Sequence, residues 1–145
     1  MRFRKSAHAV YKTEYHIVWT PRYRRRLLKQ GMKQYLEQML ENLEGLDEDI
    51  EVIKVNVQED HVHVVMVIPP RIAVARVVQF MKSRTGKRMK EKFEFMTKAI
   101  YGKPGIWSRG YCVSTIGMNE QAILAYVEHQ EQEDKGQLEL ALGRG

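Results

Sequence analysis

The sequence predicts an α+β fold in which an antiparallel sheet of four strands carries two helices on one face, followed by a further helix near the C-terminus. Three observations support this prediction. Short segments alternate apolar and polar residues, as half-buried strands do, whereas longer segments repeat apolar residues every three or four positions, as amphipathic helices do. Proline and glycine separate most of these segments. Residues 1–145 suit a single domain, with its core at about 11–134 and a short tail at 135–145.

The first strand and the first helix are predicted in the N-terminal third of the chain. In YKTEYHIVWT at 11–20, one set of alternate residues is mostly aromatic or aliphatic, which indicates a half-buried strand that Pro21 ends. The basic segment RYRRR then forms a turn. From Lys29 to Leu46, apolar residues recur at helical spacing with glutamates turned outward, which predicts an amphipathic helix ending near Gly45.

A hairpin and a long helix are predicted in the middle of the chain. IEVIKVNV at 50–57 and the segment from Val62 to Ile68 are two apolar strands, joined by QEDH, and two prolines end the second. The helix is expected from about Ile72 to Phe93, because an apolar stripe runs along one side and basic residues line the other.

The last strand and the last helix complete the pattern. After a KPG turn at 103–105, IWSRGYCVSTIG at 106–117 is predicted as the fourth strand. Asn119 is a candidate N-cap for a helix from Glu120 to about Asp134. The resulting βαββαβ order is the ferredoxin-like plan with one helix added at its end.

Composition restricts the compartment. The chain has one cysteine, Cys112, which can form no internal disulfide and therefore suits a reducing cytosol. No apolar stretch approaches the roughly 20 residues that span a bilayer. The basic start MRFRKSAHAVYK also lacks the apolar segment of a signal peptide. We expect a cytoplasmic protein with no membrane partner.

Charge is distributed in alternating blocks and sums to +6. Residues 1–30 hold nine basic and one acidic side chain, and residues 71–118 hold eleven basic and two acidic. The intervening residues 31–70 hold two basic and nine acidic side chains, and the segment after 118 is also acidic. Such basic blocks favour a polyanionic partner, and nucleic acid is the usual polyanion for a cytosolic protein without membrane features.

Two histidines occupy one face of the predicted third strand. In KVNVQEDHVHVVMVIPP, a single valine separates His61 from His63, so their side chains lie on the same face, roughly 6 to 7 Å apart at the backbone. This arrangement fits a metal or phosphate site, although two hydrogen-bonded histidines with no ligand would give the same pattern. Asp60 either orients one of these rings or is an ordinary solvated acid.

The last helix carries a tyrosine with polar neighbours one turn away. Gln130 lies four residues after Tyr126 and His129 lies three after it, so all three approach one side of the helix. Tyr126 is either a nucleophile or a core or interface aromatic. From residue chemistry alone, His129 is preferred as a further ligand, since imidazole binds transition metals better than an amide does.

Four segments in order resemble one protein family. DHVH within EDHVHVVMVIPP, YHIVWTPRYRRRLL, IWSRGYCVSTIG and AYVEHQ, spread over about residues 11–132, resemble the single-tyrosine transposases of the IS200/IS605 insertion-sequence group. That family has a histidine, hydrophobe, histidine (HUH) motif. The resemblance implies that His61, His63 and Gln130 bind Mg²⁺ or Mn²⁺ and that Tyr126 is the nucleophile, with no nucleotide cofactor. It therefore favours Gln130 over His129.

The resemblance also implies a reaction and partners. The enzyme would cut and rejoin single-stranded DNA at the hairpin ends of an insertion sequence, by transesterification through a 5′-phosphotyrosine. It would be a homodimer in which the tyrosine helix completes its own or its partner's histidine site, with Gly117 as a candidate hinge. The candidate DNA contacts are Arg22, Tyr23, Arg24, Arg25, Arg26, Lys82, Arg84, Lys87 and Arg88. Each of them would otherwise be an ordinary surface residue.

Other functions differ in how many of these residues they explain. A domesticated relative acting on repetitive hairpins would keep the same tyrosine and histidines, whereas a relaxase or replication initiator usually has a third histidine within the motif. A non-catalytic nucleic-acid-binding module would explain the charge but not the histidine pair or Tyr126. Of the remaining residues, His16 has no evident partner, and Trp107 is expected to close the core.

Overall fold

The computed structural model describes residues 3–22, 28–93 and 105–141. A short ribbon, β1 (Arg4–Lys5) and β2 (Val10–Tyr11), comes first. The elements that follow are β3 (Glu14–Trp19), α1 (Gln30–Glu41), β4 (Glu51–Gln58), β5 (His61–Val67), α2 (Val74–Lys92), β6 (Cys112–Ser114) and α3 (Glu120–Ala141). The predicted α+β fold with an antiparallel sheet and a C-terminal helix is confirmed.

The sheet has the order β4-β5-β3-β6, and every neighbouring pair is antiparallel. A two-residue turn at 59–60 joins β4 to β5, as the QEDH link predicts. In the centre of the sheet, Val18 of β3 lies opposite His63 of β5 on one side and Cys112 of β6 on the other. Directly opposite residues of neighbouring strands point to the same side of a sheet, so these three residues share one face.

The other face of the sheet forms the main hydrophobic core with α1 and α2. Trp19 and Met66 from the sheet are fully buried there against Leu36 of α1 and Met81 of α2. Trp107 meets Trp19 edge to face at 6.0 Å between ring centroids, and its Nε1 donates to Thr85 Oγ1 at 3.1 Å. The prediction that Trp107 closes the core is therefore confirmed.

The histidine-bearing face of the sheet is packed by α3. Ile123 and Val127 of α3 bury themselves against Val18, and Tyr126 and Cys112 pack partly against the same small cluster. Asn119 caps the helix as predicted, since its Oδ1 accepts a hydrogen bond from the backbone N–H of Ala122 at 2.8 Å. The added helix thus lies on the same face as the histidines.

Several predicted boundaries were wrong. The first helix ends at Glu41 and not near Gly45. The segment 106–117 forms a strand only at β6, because Gly110 takes a left-handed φ of +83° and Lys82 binds the carbonyls of Ser108 and Gly110. Helix α3 continues past Asp134 to Ala141, so the predicted tail is helical through that residue. A Lys135–Glu131 ion pair of 3.3 Å, at helical spacing, supports this extension.

No helix in the described parts of the chain is both long enough and apolar enough to span a bilayer.

Candidate active site

The histidine pair lies where the strand pattern predicts, on the face of β5 opposite to α1 and α2. Val62 and Val64 point into the main core, so the alternate residues His61 and His63 must point the other way. His61 is 8% exposed and His63 is half-buried. Both rings are therefore largely or partly shielded from solvent.

Asp60 fixes the orientation of His61. Asp60 is in the turn that precedes β5, and its Oδ1 lies 2.9 Å from Nδ1 of His61. Because a carboxylate only accepts hydrogen bonds, Nδ1 carries the proton and Nε2 is the nitrogen with a lone pair to offer. Metal-binding histidines commonly have such a carboxylate partner. This geometry supports the interpretation that Asp60 orients a histidine, and not that it is an ordinary solvated acid.

His16 contacts the second histidine. Its Nδ1 lies 3.2 Å from Nε2 of His63, with 5.3 Å between the ring centroids. The expectation that His16 has no partner was wrong, because the register that pairs Val18 with His63 places His16 diagonally beside it on the same face. Burial lowers the pKa of His63, and the charges of His16, His61 and Lys54 lower it further. His63 is thereby held in the neutral form that binds metals.

Tyr126 and Gln130 form the second part of the site, on α3. The hydroxyl of Tyr126 donates to Oε1 of Gln130 at 3.3 Å, one helical turn away. Gln130 is 6% exposed, because it continues the sheet-facing stripe of Ile123 and Val127. His129 instead points outward, with 65% of its side chain exposed. The structure thus places Gln130, rather than His129, in the buried position beside the tyrosine.

The phenol of Tyr126 is kept neutral in this arrangement. Burial raises the pKa of Tyr126 well above its usual range, and negative charge on Cys112 and Asp134 raises it further. An attacking phenolate needs the opposite shift, toward a lower pKa. Activation of Tyr126 therefore requires a positive charge or a proton acceptor close to its oxygen.

The raised pKa of Tyr126 predicts a pH-dependent difference from Tyr126→Phe. The unfolded phenol ionises near pH 10 while the folded one stays neutral, so ionisation favours the unfolded state above that pH. Relative to Tyr126→Phe, the free energy of unfolding of the wild type should be constant below about pH 10 and fall above it. Urea denaturation across this range measures the difference, and an unchanged difference at alkaline pH would contradict the burial of the phenol.

A cleft on this face of the sheet contains both histidines. His61 and His63 line a cleft, here called the histidine cleft, together with Lys54 and Asn56 of β4 and the first turns of α3. Tyr126 and Gln130 are not among its lining residues. Within the described ranges, no hydrogen bond links either cleft histidine to Tyr126 or Gln130.

The predicted ligands are suitable for a divalent cation, and they lie on two elements, β5 and α3. A neutral imidazole held by a carboxylate and a buried amide oxygen are ordinary donors for Mg²⁺, Mn²⁺ or zinc. In the parts of the chain that the structure describes, no three histidine, cysteine or acidic side chains converge as a metal site. The expected set of two imidazoles and one amide contains only two residues of these types.

The predicted DNA-binding residues fall into different environments. Tyr23, Arg24, Arg25 and Arg26 lie outside the described residues. Arg84 stacks on Phe80 at 4.9 Å, Arg88 is half-buried, and Lys87 is exposed. Lys87 lines a basic groove between α2 and the segment 105–111, together with Lys90 and Arg109.

Arg22 and Lys82 hold this segment in place. Arg22 donates to the carbonyls of Gly105 at 3.2 Å and Trp107 at 3.4 Å. Lys82 Nζ donates to the carbonyls of Ser108 at 2.7 Å and Gly110 at 2.8 Å. Burial, with the nearby charge of Arg22, lowers the pKa of Lys82 to about 8. In this structure, both side chains are partly buried and donate to backbone carbonyls.

Sequence analysis missed three residues near the site: His16, Ser108 and Asp134. Asp134 had a detectable signal, because it lies four residues after Gln130 and therefore on the same helical face. His16 and Ser108 contact the site only through the register of distant segments, and their local sequence carries no sign of it.

Comparison with known proteins agrees with this geometry. The family model described as "Transposase IS200 like" matches residues 9–130. The transposase for insertion sequence element IS200 of Salmonella typhimurium is 30% identical over 129 residues, which cover 89% of this chain and 84% of that protein. The ISDra2 transposase TnpA of Deinococcus radiodurans is 27% identical over 135 residues, covering 92% of this chain and 95% of that protein.

A solved structure is similar throughout. The crystal structure of a protein assigned as a transposase from Deinococcus radiodurans superposes with a TM-score of 0.77 at 27% identity, covering 88% of this chain and 97% of that one. Fold, motif order and sequence similarity agree over nearly the same residues. This chain belongs to the IS200-like family of insertion-sequence transposases.

Proposed function

We propose that this transposase cuts and rejoins single-stranded DNA at the hairpin-containing ends of its insertion sequence, through a 5′-phosphotyrosine at Tyr126. One observation carries the proposal. Helix α3 places Tyr126 and Gln130 on the same sheet face as His61 and His63, so the proposed nucleophile and the proposed ligands share one surface. A non-catalytic nucleic-acid-binding module has no need of this combination.

The proposed cofactor is Mg²⁺ or Mn²⁺, held by His61, His63 and Gln130, with no nucleotide cofactor. When bound, the ion supplies positive charge that offsets the charge developing on the scissile phosphate. Asp60 keeps Nδ1 of His61 protonated and so leaves Nε2 as the donor. Burial lowers the pKa of His63, which favours the neutral form of that ring.

The proposed reaction is a reversible exchange of one phosphodiester for another. Tyr126 loses its phenolic proton, its oxygen forms a bond to the phosphorus, and the bond from phosphorus to the 3′ oxygen breaks. The departing oxygen takes a proton and becomes a 3′-hydroxyl. Because the bond energy is retained in the phosphotyrosine, a DNA 3′-hydroxyl can attack it, which releases Tyr126 and joins the strands.

Assembly of the site is proposed to involve a homodimer. In this dimer, α3 would complete either the histidine site of its own chain or that of the partner. Gly117 is the proposed hinge, since it lies in the exposed segment just before α3 and nothing lies within 4 Å of where its Cβ would be. DNA backbone contacts are proposed at Lys87 and Arg88 and at the basic residues 22–26.

A covalent-capture assay tests the reaction. Purified protein is mixed with Mg²⁺ or Mn²⁺ and oligonucleotides from both flanks of its gene, as single strands or as duplexes, and is separated on denaturing gels. We expect an adduct with single strands that requires the metal and is absent in EDTA. Repetitive extragenic hairpins serve as a second substrate set, and a preference for them would indicate the domesticated relative. Binding without an adduct on any substrate would favour the non-catalytic module.

Variants of two lysines on α2, Lys82 and Lys87, distinguish a structural role from a DNA contact. Lys82→Met removes two hydrogen bonds from a charged donor to carbonyls, so we expect the free energy of unfolding to fall by about 1–3 kcal/mol. Lys87→Met, at an exposed position of the same helix, should change that free energy by less than about 0.5 kcal/mol.

Binding of a single-stranded oligonucleotide completes this comparison. Lys87→Met should weaken binding and reduce the dependence of log K on log salt by about 0.7. If Lys82→Met gives this salt effect with unchanged stability, Lys82 is a DNA contact and not a support for the segment 105–111.

A further inference from the structure

Helix α3 contains a buried carboxylate that the proposed reaction does not use. Asp134 is only 2% exposed. Its Oδ1 accepts a hydrogen bond from Nε2 of Gln130 at 3.1 Å, and its Oδ2 accepts one from the hydroxyl of Ser108. Burying a charged carboxylate is costly unless it is well hydrogen-bonded, so this position has a specific environment built around it.

The contact with Asp134 determines which end of the Gln130 amide faces Tyr126. An amide has an oxygen that accepts hydrogen bonds and a nitrogen that donates them, and the two ends have nearly the same shape. Since a carboxylate only accepts, Asp134 attracts the nitrogen and repels the oxygen. The Oε1 of Gln130 is then turned toward the Tyr126 hydroxyl, as observed. The reversed amide would present a nitrogen that cannot bind a cation.

Asp134 is itself held by elements outside α3. The backbone N–H of Ser108 donates to the carbonyl of Thr20 at 2.9 Å, at the end of the first core strand. Lys82 binds the carbonyl of Ser108, and its pKa responds to the charge of Asp134. Ser108 is 2% exposed, so solvent does not compete for these contacts. The sheet and α2 therefore fix the position of the carboxylate, and the carboxylate in turn fixes the orientation of the Gln130 amide.

We propose that Asp134 is a positioning residue for Gln130: it holds the amide with Oε1 on the side of Tyr126, as required of a metal ligand. This inference rests on the proposed function, because it presumes that Gln130 binds the cation. The role parallels that of Asp60 toward His61, in which a carboxylate likewise fixes which atom of a neighbouring side chain is free.

The test is a double-mutant cycle read out as Mn²⁺ affinity, measured by calorimetry on the full chain with Mn²⁺ alone as the probe. The variants are Gln130→Ala, Asp134→Ala and their combination. We expect each single variant to weaken Mn²⁺ binding, Asp134→Ala by about 10- to 100-fold. In the Gln130→Ala background, Asp134→Ala should have no further effect. Asp134→Asn should restore most of the affinity, since its oxygen can accept from Gln130 while its nitrogen donates to Ser108.

The outcomes separate this proposal from the proposed ligand set. If Gln130→Ala leaves Mn²⁺ affinity unchanged, Gln130 is not a ligand, and both the proposed ligand set and the positioning role of Asp134 are wrong. If Gln130→Ala weakens binding but Asp134→Ala does not, only the positioning role fails. A loss from Asp134→Ala that persists in the Gln130→Ala background shows a general packing role and also overturns it.

A second variant covers the case in which Asp134→Ala does not fold, as judged by thermal unfolding. Ser108→Ala removes the partner of Oδ2 and leaves the carboxylate in place. A weakened Mn²⁺ affinity that disappears in the Gln130→Ala background supports the positioning role. Unchanged affinity in a Ser108→Ala protein overturns it.

Discussion

Tyr126→Phe is expected to remove covalent capture of single-stranded DNA, lowering the rate of adduct formation by at least about four orders of magnitude. Phenylalanine keeps the ring that packs against Val18 and Val127 but lacks the oxygen that must bond to phosphorus. Among the described residues, Tyr126→Phe loses the hydrogen bond to Gln130, which at 3.3 Å contributes about 1 kcal/mol to stability at most. Denaturing gels measure the adduct, and thermal unfolding confirms the fold.

Tyr111→Phe is the matched control for this variant. Tyr111 is also half-buried, but it packs against the main core, on the other side of the sheet from Tyr126. We expect full capture by Tyr111→Phe. An adduct that persists in Tyr126→Phe would mean that another side chain is the nucleophile, and equal losses in both variants would indicate a general structural effect.

The parts of the fold that sequence analysis predicted correctly are those determined within single elements. Alternation along β5 was sufficient to place His61 and His63 together, since residues two apart on a strand must share a face. The four-residue spacing of Tyr126 and Gln130 was likewise sufficient to make them neighbours on α3. Both patterns depend only on the geometry of one strand or one helix.

The contacts that sequence analysis missed join distant segments. His16 and His63 are 47 residues apart, and they meet only because β3 and β5 pair in one particular register. Ser108 reaches Asp134 because α3 crosses the sheet beside the segment 105–111. No local pattern encodes register or helix placement, so these partners required the structure.

Residue chemistry alone preferred His129 as a further metal ligand, whereas the structure places Gln130 beside Tyr126. Imidazole is the better ligand in isolation, which favoured His129, but the helix buries Gln130 and exposes His129. The decision lay in the apolar residues Ile123 and Val127, which determine the side of the helix that faces the sheet. The sequence analysis favoured Gln130 only through the family resemblance, although its spacing from Ile123 and Val127 also indicates the buried side of the helix.

Replacing both cleft histidines, as His61→Ala with His63→Ala, is expected to abolish Mn²⁺ binding detectable by calorimetry. The two substitutions remove both imidazole donors of the proposed site, and the remaining amide of Gln130 is a weak ligand on its own. Both positions face away from the main core, so the variant should still fold.

Asp60→Ala should weaken Mn²⁺ binding by about 10- to 100-fold, because it removes the carboxylate that orients His61.

His129→Ala is the matched control, since it removes an imidazole that is exposed and lies on the opposite side of α3 from the sheet. We expect its Mn²⁺ affinity to equal that of the wild type. If His129→Ala abolished binding while the cleft variant retained it, the metal would sit on the outer face of α3, where Glu133 lies 3.9 Å from His129. That result would separate the cation from Tyr126 and remove the metal-assisted step from the proposed reaction. Retained binding in His129→Ala together with loss in the cleft variant would place the ion on the sheet face that carries the nucleophile.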